Sequence, residues 1–158
     1  MGLQQILMIV LSIIIVGIAV AVGIIIFDTQ ATNQKVAAIH SDLQQLAIHI
    51  QAYWRTPVIM GGAGFNMASA SVSSIVTWFD INEDNPYIKT PNGSYGLSVY
   101  SIGDPFMHID LVSEPPVKGW IAKAVVFYDG RSNMAQGIDN GIWTYIGPES
   151  GAPSPPTE

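Results

Sequence analysis

The hydrophobic positions are concentrated at the start of the chain, where they form an unbroken run. Residues 6–27 read ILMIVLSIIIVGIAVAVGIIIF, with one hydroxyl side chain and no charged one. A helix of about 22 residues is long enough to cross the roughly 30 Å hydrocarbon core of a bilayer. We therefore predict that this part of the chain is a membrane-spanning helix.

The flanks of this run differ from those of a secretory signal peptide, which has a basic segment, a shorter apolar stretch and small residues at its cleavage site. No Lys or Arg precedes the run, and Phe27 and Asp28 close it. We expect the segment to stay in the mature protein. Because the first basic residue is Lys35, flanking positive charge does not set the orientation, and we expect the large remainder to be the exported part.

After Asp28 the apolar residues recur at spacings of three and four, which is typical of an amphipathic helix. These residues, called the helix stripe below, are Val36, Ile39, Leu43, Leu46, Ile50 and Tyr53. Since no proline lies between Gln4 and Arg55, the pattern predicts one helix of roughly 50 residues, about 75 to 80 Å long. The alternative is two helices with a bend near Asp28. Pro57 ends the helix, because the residue before a proline is displaced from the α region.

The rest of the chain reads mostly as short strands separated by turn residues. A glycine-rich segment at 61–64 predicts a flexible joint. The spacing of Val72, Ile75, Val76 and Phe79 predicts a short second helix. Four runs of β-branched and aromatic residues predict an antiparallel sheet of about four strands. The runs cover residues 94–102, 106–112, 120–128 and 142–146.

The predicted fold class is α+β, with the long N-terminal helix packed on a small antiparallel sheet. In the second predicted strand Met107, Ile109 and Leu111 share one apolar face, which we expect to pack on the helix stripe. The chain is then divided into a transmembrane or filament-core helix (1–27), its amphipathic continuation (28–56), a β-rich globular part with one short helix (57–147) and an exposed Pro/Ser-rich tail (148–158).

This order of elements resembles that of type IV pilins and pseudopilins. The resemblance is carried by the Leu7-Met8-Ile9-Val10 start of the apolar run and by its uninterrupted passage into the helix stripe, and it covers residues 1–55. It implies a pilin-like fold and a structural role that is not enzymatic. Such a subunit resides in the cytoplasmic membrane, and a pilus-type assembly machinery then polymerises it with copies of itself into a filament at the cell surface.

Two features depart from the family's pattern. The fifth mature residue of the bacterial family is usually a glutamate, whereas this chain has Gln5, and a cut after Gly2 would place Leu7 there instead. The family also has a charged leader that ends in glycine, whereas here only Met1 and Gly2 precede Leu3. Either a leader was already removed, or the subunit is exported by a different or abbreviated signal. We therefore interpret the chain as a divergent relative. The alternative function is a single-span membrane protein that carries an extracytoplasmic binding or sensing domain.

Polymerisation requires the apolar segment to be buried against copies of itself once it leaves the lipid. Gly17, Ala19, Ala21 and Gly23 form two overlapping pairs of small residues four apart, which allow neighbouring helices to approach closely. We predict that these residues pack in the filament core together with Leu7 and Ile13. The alternative is that the small residues only face lipid.

The composition argues against several classes of binding and catalytic function. Of 158 residues, 49% are apolar and 11% are charged, and the net charge is -6. This acidity offers no counter-charge to a polyanion, so we expect no nucleic-acid partner. The chain has no cysteine, which excludes disulfides, thiolate metal sites and iron-sulfur clusters within it. We expect no cofactor and no catalytic residue, because no nucleophile elbow or phosphate-binding glycine loop is present.

Two groups of acidic residues are candidate calcium sites. They are Asp80, Asn82 and Asp84 in one turn, and Asp129, Asp139 and Asn140 in later turns. The first group has the alternate spacing of a calcium loop, but Pro91 stands where the bidentate glutamate would be. The second group is suggested by the resemblance, because some pseudopilins are similar in holding calcium in their later loops. We interpret both as solvated acidic turns, with calcium binding as the alternative.

Candidate glycosylation sites lie in one turn and in the tail. Asn92-Gly93-Ser94 is an acceptor sequon for an N-linked glycan. In the Pro-rich tail, Ser150, Ser154 and Thr157 are candidates for attached sugars.

Overall fold

The computed structural model describes residues 2–66, 72–80, 87–99, 106–113, 119–127 and 138–154. The fold is α+β. Two α-helices and six strands are described: α1 Gly2–Arg55, α2 Val72–Trp78, β1 Tyr87–Thr90, β2 Gly93–Val99, β3 Phe106–Ser113, β4 Trp120–Phe127, β5 Ile138–Asp139 and β6 Ile142–Pro148. By its internal contacts the chain forms two units, Met1–Lys35 and Val36–Glu158.

Helix α1 is a single element of 54 residues. The prediction of one long helix is therefore confirmed, and the alternative of two helices is not. It ends at Arg55, two residues before Pro57. The chain then turns back, and its amide groups satisfy carbonyls at the helix end that lack intrahelical partners. The Ala63 N–H donates to Tyr53 O at 3.0 Å and the Phe65 N–H to Trp54 O at 3.1 Å.

The glycine-rich segment is therefore a hydrogen-bonded turn that caps α1, where the sequence predicts a flexible joint. A Cβ added at Gly62 would overlap the carbonyl oxygen of Thr56, so only glycine allows this close approach of two backbones. Gly64 has a φ of +58°, a left-handed conformation that side chains disfavour. These two glycines are required by the shape of the turn.

The six strands form one antiparallel sheet in the order β1-β2-β3-β4-β6-β5. The four predicted strands correspond to β2, β3, β4 and β6. The two edge strands, β1 and β5, were not predicted from the sequence. β5 is joined to β6 by a two-residue turn in which Asn140 and Gly141 have φ values of 50° and 78°. Positive φ at both positions is the requirement of a type I′ hairpin turn, for which Asn-Gly is the preferred pair.

The main core lies between the second part of α1 and the sheet. Five of the six stripe residues are buried in it, and Val36 is half-buried. The other buried members come from α1 itself, the capping turn, α2, β2 and β4: Ala47, Trp54, Ala63, Ile75, Val76, Tyr95, Leu97, Ala122, Ala124 and Val126. The stripe therefore packs on the sheet. The side chains of Met107, Ile109 and Leu111, predicted to form the packing face, lie outside the described part.

A second, smaller core lies on the other side of β4. Along this strand Ala122, Ala124 and Val126 belong to the main core, whereas Val125 and Phe127 belong to the second cluster with Ile138 and Trp143. This alternation follows from the two-residue period of a strand. At its C-terminal end β4 is therefore buried on both faces.

Candidate functional site

The apolar segment of α1 is exposed on all sides. Every residue from 2 to 22 is exposed, and the large hydrophobic side chains in residues 3–27 keep between 48% and 84% of their surface. By length and composition this helix is able to cross a membrane, a test that a signal sequence near the N-terminus also passes. So large an apolar surface requires cover from outside the chain, by lipid or by protein.

The hydroxyl groups within and just after this segment are satisfied inside the helix. Ser12 Oγ donates to Met8 O at 2.8 Å, and Thr29 Oγ1 donates to Ile25 O at 2.9 Å. Each hydroxyl bonds the carbonyl four residues earlier, so neither needs water or another chain as a partner. The segment is therefore compatible with a dry environment along its length.

The predicted packing residues Leu7, Ile13, Gly17, Ala19 and Ala21 are all exposed, and Gly23 is half-buried. A Cβ added at Gly17 or Gly23 would have none of the described atoms within 4 Å outside the local helix. The single chain gives no steric reason for glycine at either position, in contrast to Gly62. If glycine is required there, the requirement comes from contacts outside this chain.

Between Asp28 and Arg55 the exposed positions of α1 carry no charged residue, and Lys35 and Asp42 are half-buried. Helix α1 is described over its whole length. The exposed residues, called the amide face below, are Thr29, Gln30, Ala31, Asn33, Gln34, Ala37, His40, Ser41, Gln44, Gln45, Ile48, His49 and Ala52. A helix that faces water usually carries charged residues on its outer side. This face is polar without being ionic, a composition suited to contact with protein.

A carboxylate on α1 holds the turn between β1 and β2. Asp42 Oδ2 accepts hydrogen bonds from Thr90 Oγ1 at 2.7 Å, Asn92 Nδ2 at 3.0 Å and the Tyr95 hydroxyl at 3.1 Å. Bonds to an ionised acceptor are stronger than those between neutral groups. This Asp42 clamp joins the helix to residues about 50 positions further along the chain, and the sequence analysis did not detect it.

Burial raises the pKa of the Tyr95 hydroxyl, and the negative charge of Asp42 and the hydrogen bond to it raise the pKa further. The phenol is therefore held protonated, which is the form that donates to Asp42. Burial also raises the pKa of Tyr53 in the helix stripe, and a hydrogen bond with Ser74 opposes this shift.

A second contact joins α1 to the opposite edge of the sheet. Gln51 Nε2 donates to the carbonyl of Asn140, in the β5–β6 turn, at 2.7 Å. Beside it lies a groove of about 270 Å³. Its lining is mostly amide, hydroxyl and aliphatic groups: Gln44, Ile48, Gln51, Asp139, Asn140, Ile142 and Thr144. Polar atoms line this groove, but the only ionisable group among them is Asp139.

The turn after α1 carries a smaller exposed apolar patch. Val58, Ile59 and Met60 form one turn of 3-10 helix and are 60%, 94% and 72% exposed. Phe65, at 66% exposed, stands edge-on to Trp54 with ring centroids 6.0 Å apart. These side chains contribute little to the core and remain available for contact.

The calcium candidates are not brought together by the described part of the chain. Asp80 and Asp139 are both exposed, and Asn82, Asp84 and Asp129 lie outside the described residues. Among the residues described, no three His, Asp or Glu side chains form a group able to hold a metal ion. Both candidate sites stay untested predictions.

The glycosylation candidates fall into two environments. Ser150 and Ser154 are exposed, whereas Thr157 lies outside the described residues. The composition of the tail predicts an extended, exposed chain, but Glu149–Gly151 form a short 3-10 helix. Asn92 is half-buried, and its Nδ2, the atom to which a glycan would be attached, is the atom that donates to Asp42.

Comparison of the chain with protein-family models, curated proteins and solved structures gave no match.

Proposed function

We propose that this chain is the structural subunit of a helical filament of the type IV pilin kind. In this proposal residues 1–27 anchor the subunit in the cytoplasmic membrane and later form the filament core by packing against copies of the same segment. A pilus-type machinery carries out the assembly, and the filament stands at the cell surface. The supporting observation is that α1 exposes an apolar segment and then, further along the same helix, the uncharged amide face.

The apolar segment alone supports an anchor as well as a filament core. Transfer of each large apolar side chain from water contributes about 1.5 to 3 kcal/mol, so the segment does not leave lipid unless protein contacts replace it. Its lack of charge suits both environments, because an unpaired charge is costly in either. The choice between anchor and core therefore depends on the rest of α1.

The amide face favours the filament. An anchored monomer has no reason to keep charged residues out of the exposed positions between Asp28 and Arg55. In a polymer the same face lies against neighbouring subunits, where amides and small side chains pack without the desolvation penalty of ions. Gly17 and Gly23 add support, because nothing in the single chain requires glycine there and close helix contacts do.

A single-span protein with an extracytoplasmic binding domain is the second candidate. It is favoured by the polar groove beside Gln51 and Asn140. In this case the protein stays in the membrane fraction as a monomer, and the amide face remains in contact with water.

The first test is electron microscopy of fibres sheared from cells that produce the chain, with mass spectrometry of the subunit and its N-terminus. Fibres built of this protein are expected. Gly17→Leu is expected to prevent them, whereas Val16→Leu, the neighbouring matched change, is expected to leave them intact. Normal fibres from the Gly17 variant would contradict the packing role, and absence of the protein from any fibre would contradict the proposal itself.

A second test uses the absence of cysteine from the chain. A Gln45→Cys variant places one thiol on the amide face, where a water-soluble thiol reagent reports its exposure. The thiol is expected to be protected in wild-type background and reactive when Ile13→Asp blocks assembly. If it reacts equally in both backgrounds, the amide face is not an interface and the anchored-domain candidate gains support.

A further inference from the structure

The chain contains two Asn-Gly pairs, Asn92-Gly93 and Asn140-Gly141, both at hairpin turns. In such a pair the glycine nitrogen is able to attack the asparagine side-chain carbon, because the glycine has no Cβ to hinder the approach. The same reaction is therefore open to both turns in the unfolded chain. The two asparagines differ in how the fold holds their side chains.

The side chain of Asn92 is held by the Asp42 clamp. Its Nδ2 donates to Asp42 Oδ2 at 3.0 Å, and its backbone N–H donates to Thr90 Oγ1 at 3.2 Å. Asn92 is also half-buried. The nitrogen that would have to leave is bonded to a carboxylate, and the carbon that would be attacked is held in place with it.

The side chain of Asn140 is exposed, and no hydrogen bond among the described residues involves its amide group. Its restraints lie on the backbone: its carbonyl accepts from Gln51, and the carbonyl of the buried Gly141 accepts from the Phe127 N–H at 2.7 Å. The side chain of Asn140 is therefore free to rotate. Closure of the ring also needs a rotation of the peptide between Asn140 and Gly141, which breaks the hydrogen bond from Gln51.

We propose that Asn140 is a site of spontaneous deamidation and that the Asp42 clamp protects Asn92 from the same reaction. The Gly141 nitrogen bonds to Asn140 Cγ and loses its proton, and the Cγ–Nδ2 bond breaks so that Nδ2 leaves as ammonia. Water then opens the resulting cyclic imide to aspartate or isoaspartate. No oxidant, metal or second protein takes part, and the inference does not depend on the filament proposal.

The product changes the edge of the sheet. Isoaspartate adds one carbon to the backbone of a turn that needs positive φ at two consecutive positions. It therefore disrupts the turn that pairs Asp139 with Ile142 and that places the Asn140 carbonyl against Gln51. Either product also adds a negative charge next to Asp139. The β5–β6 hairpin is expected to loosen as the protein ages.

The test compares the two sites within one sample of the full chain. The chain is incubated in detergent micelles at mildly alkaline pH, with and without denaturant, and peptide mass spectrometry follows conversion at each asparagine. In the folded chain Asn92 is expected to convert on the order of tenfold more slowly than Asn140, the factor that corresponds to one hydrogen bond to a charged group. In denaturant the rates are expected to converge. Equal rates in the folded chain, or faster conversion of Asn92, would overturn the proposal.

Variants separate the clamp from general stability. Asp42→Ala is expected to raise the Asn92 rate to its value in denaturant and to leave the Asn140 rate unchanged. Tyr95→Phe removes a different donor to Asp42 and keeps the bond to Asn92, so Asn92 is expected to stay protected. An unchanged Asn92 rate in a folded Asp42→Ala chain would refute the protective role. Should that variant not fold, the comparison of wild type with and without denaturant decides.

Discussion

The two parts of α1 have the same backbone and opposite surroundings. In residues 2–27 the side chains are exposed, whereas in Val36–Tyr53 the stripe residues Ile39, Leu43 and Ile50 have no exposed surface. Helical hydrogen bonds alone give little net stability in water, and most of it comes from tertiary packing. The second part obtains that packing from its own sheet. The first part has to obtain it from lipid or from other copies of the chain.

The glycines of the two regions show the same contrast. Gly62 and Gly64 are required by contacts and backbone conformation inside the globular unit, whereas Gly17 and Gly23 meet nothing in the single chain. A feature that the folded monomer explains is a structural requirement of the monomer. Gly17 and Gly23 have no such requirement within the described chain.

The largest effect on the apolar part of α1 is expected from Ile13→Asp, in the middle of the segment. An acidic residue at the centre of a membrane span costs about 2.5 to 3.5 kcal/mol, and a similar penalty applies in a dry filament core. Loss of filaments is expected, measured by electron microscopy, while fractionation is expected to find the chain still in the membrane, because the other apolar residues of the segment outweigh this penalty. Ile13→Val is the control. The thermal transition of the globular unit in detergent is expected to be unchanged, and a large shift in it would mean that the two parts of the helix are not independent in stability.

The corresponding change in the second part is Leu43→Ala, which removes a fully buried side chain from the main core. A loss of about 2 to 5 kcal/mol in the free energy of unfolding is expected, because such a truncation leaves a cavity. Ile48→Ala is the matched control on the same helix, since Ile48 is 57% exposed. Its effect is expected to stay within about 0.5 kcal/mol. Denaturant titration in detergent measures both, and equal effects would contradict the assignment of the stripe as core.

The sequence predicts the features of this molecule that depend on a repeating pattern. The helix stripe and the four inner strands follow from periods of 3.6 and 2, and the end of α1 follows from Pro57. The edge strands were missed because β1 has four residues and β5 has two, too few for a periodic signal. The turn residues beside β5, Asp139 to Gly141, were recognised, but only as a separator between longer strands.

The Asp42 clamp is not predictable from local patterns. Asp42 looks like one polar residue beside Leu43, and its partners Thr90, Asn92 and Tyr95 lie on the other side of the fold in a hairpin that the sequence analysis placed only in part. Asp42 meets these partners only because of the way in which the helix is positioned on the sheet. No local stretch of sequence determines that position. The uncharged amide face, in contrast, was readable from the sequence once the helix was assigned, because it needs only the buried stripe to define its opposite side.

A smaller effect on the globular unit is expected from Asp42→Ala. The change removes the acceptor shared by three donors, one of which is the buried Tyr95 hydroxyl. Leaving donors unsatisfied is expected to lower the free energy of unfolding by about 2 to 3 kcal/mol. Asp28→Ala, at an exposed aspartate on the same helix, is the control and is expected to have little effect. Similar values for the two variants would show that the clamp contributes nothing beyond a surface charge.

The smallest change is Tyr95→Phe, which removes one donor to Asp42 and keeps the buried ring. A loss of about 1 to 1.5 kcal/mol is expected at neutral pH, and Tyr87→Phe, at an exposed tyrosine on β1, is the control. The pKa of Tyr95 is raised above its unfolded value of 10.0. Above pH 10 the unfolded chain releases this proton while the folded chain keeps it, so the stability contributed by Tyr95 is full below pH 10 and is lost as pH rises.

The Tyr95→Phe variant has no phenol at this position, so its free energy of unfolding lacks the pH dependence that Tyr95 causes. The difference in free energy of unfolding between wild type and Tyr95→Phe is therefore expected to shrink as pH is raised from neutral to above 10. Denaturant titrations at a series of pH values in detergent measure it. A difference that stays constant would mean that Tyr95 ionises as easily in the folded chain as in the unfolded one. In that case its burial and its bond to Asp42 would not hold the proton, and the clamp would join helix and hairpin through Thr90 and Asn92 alone.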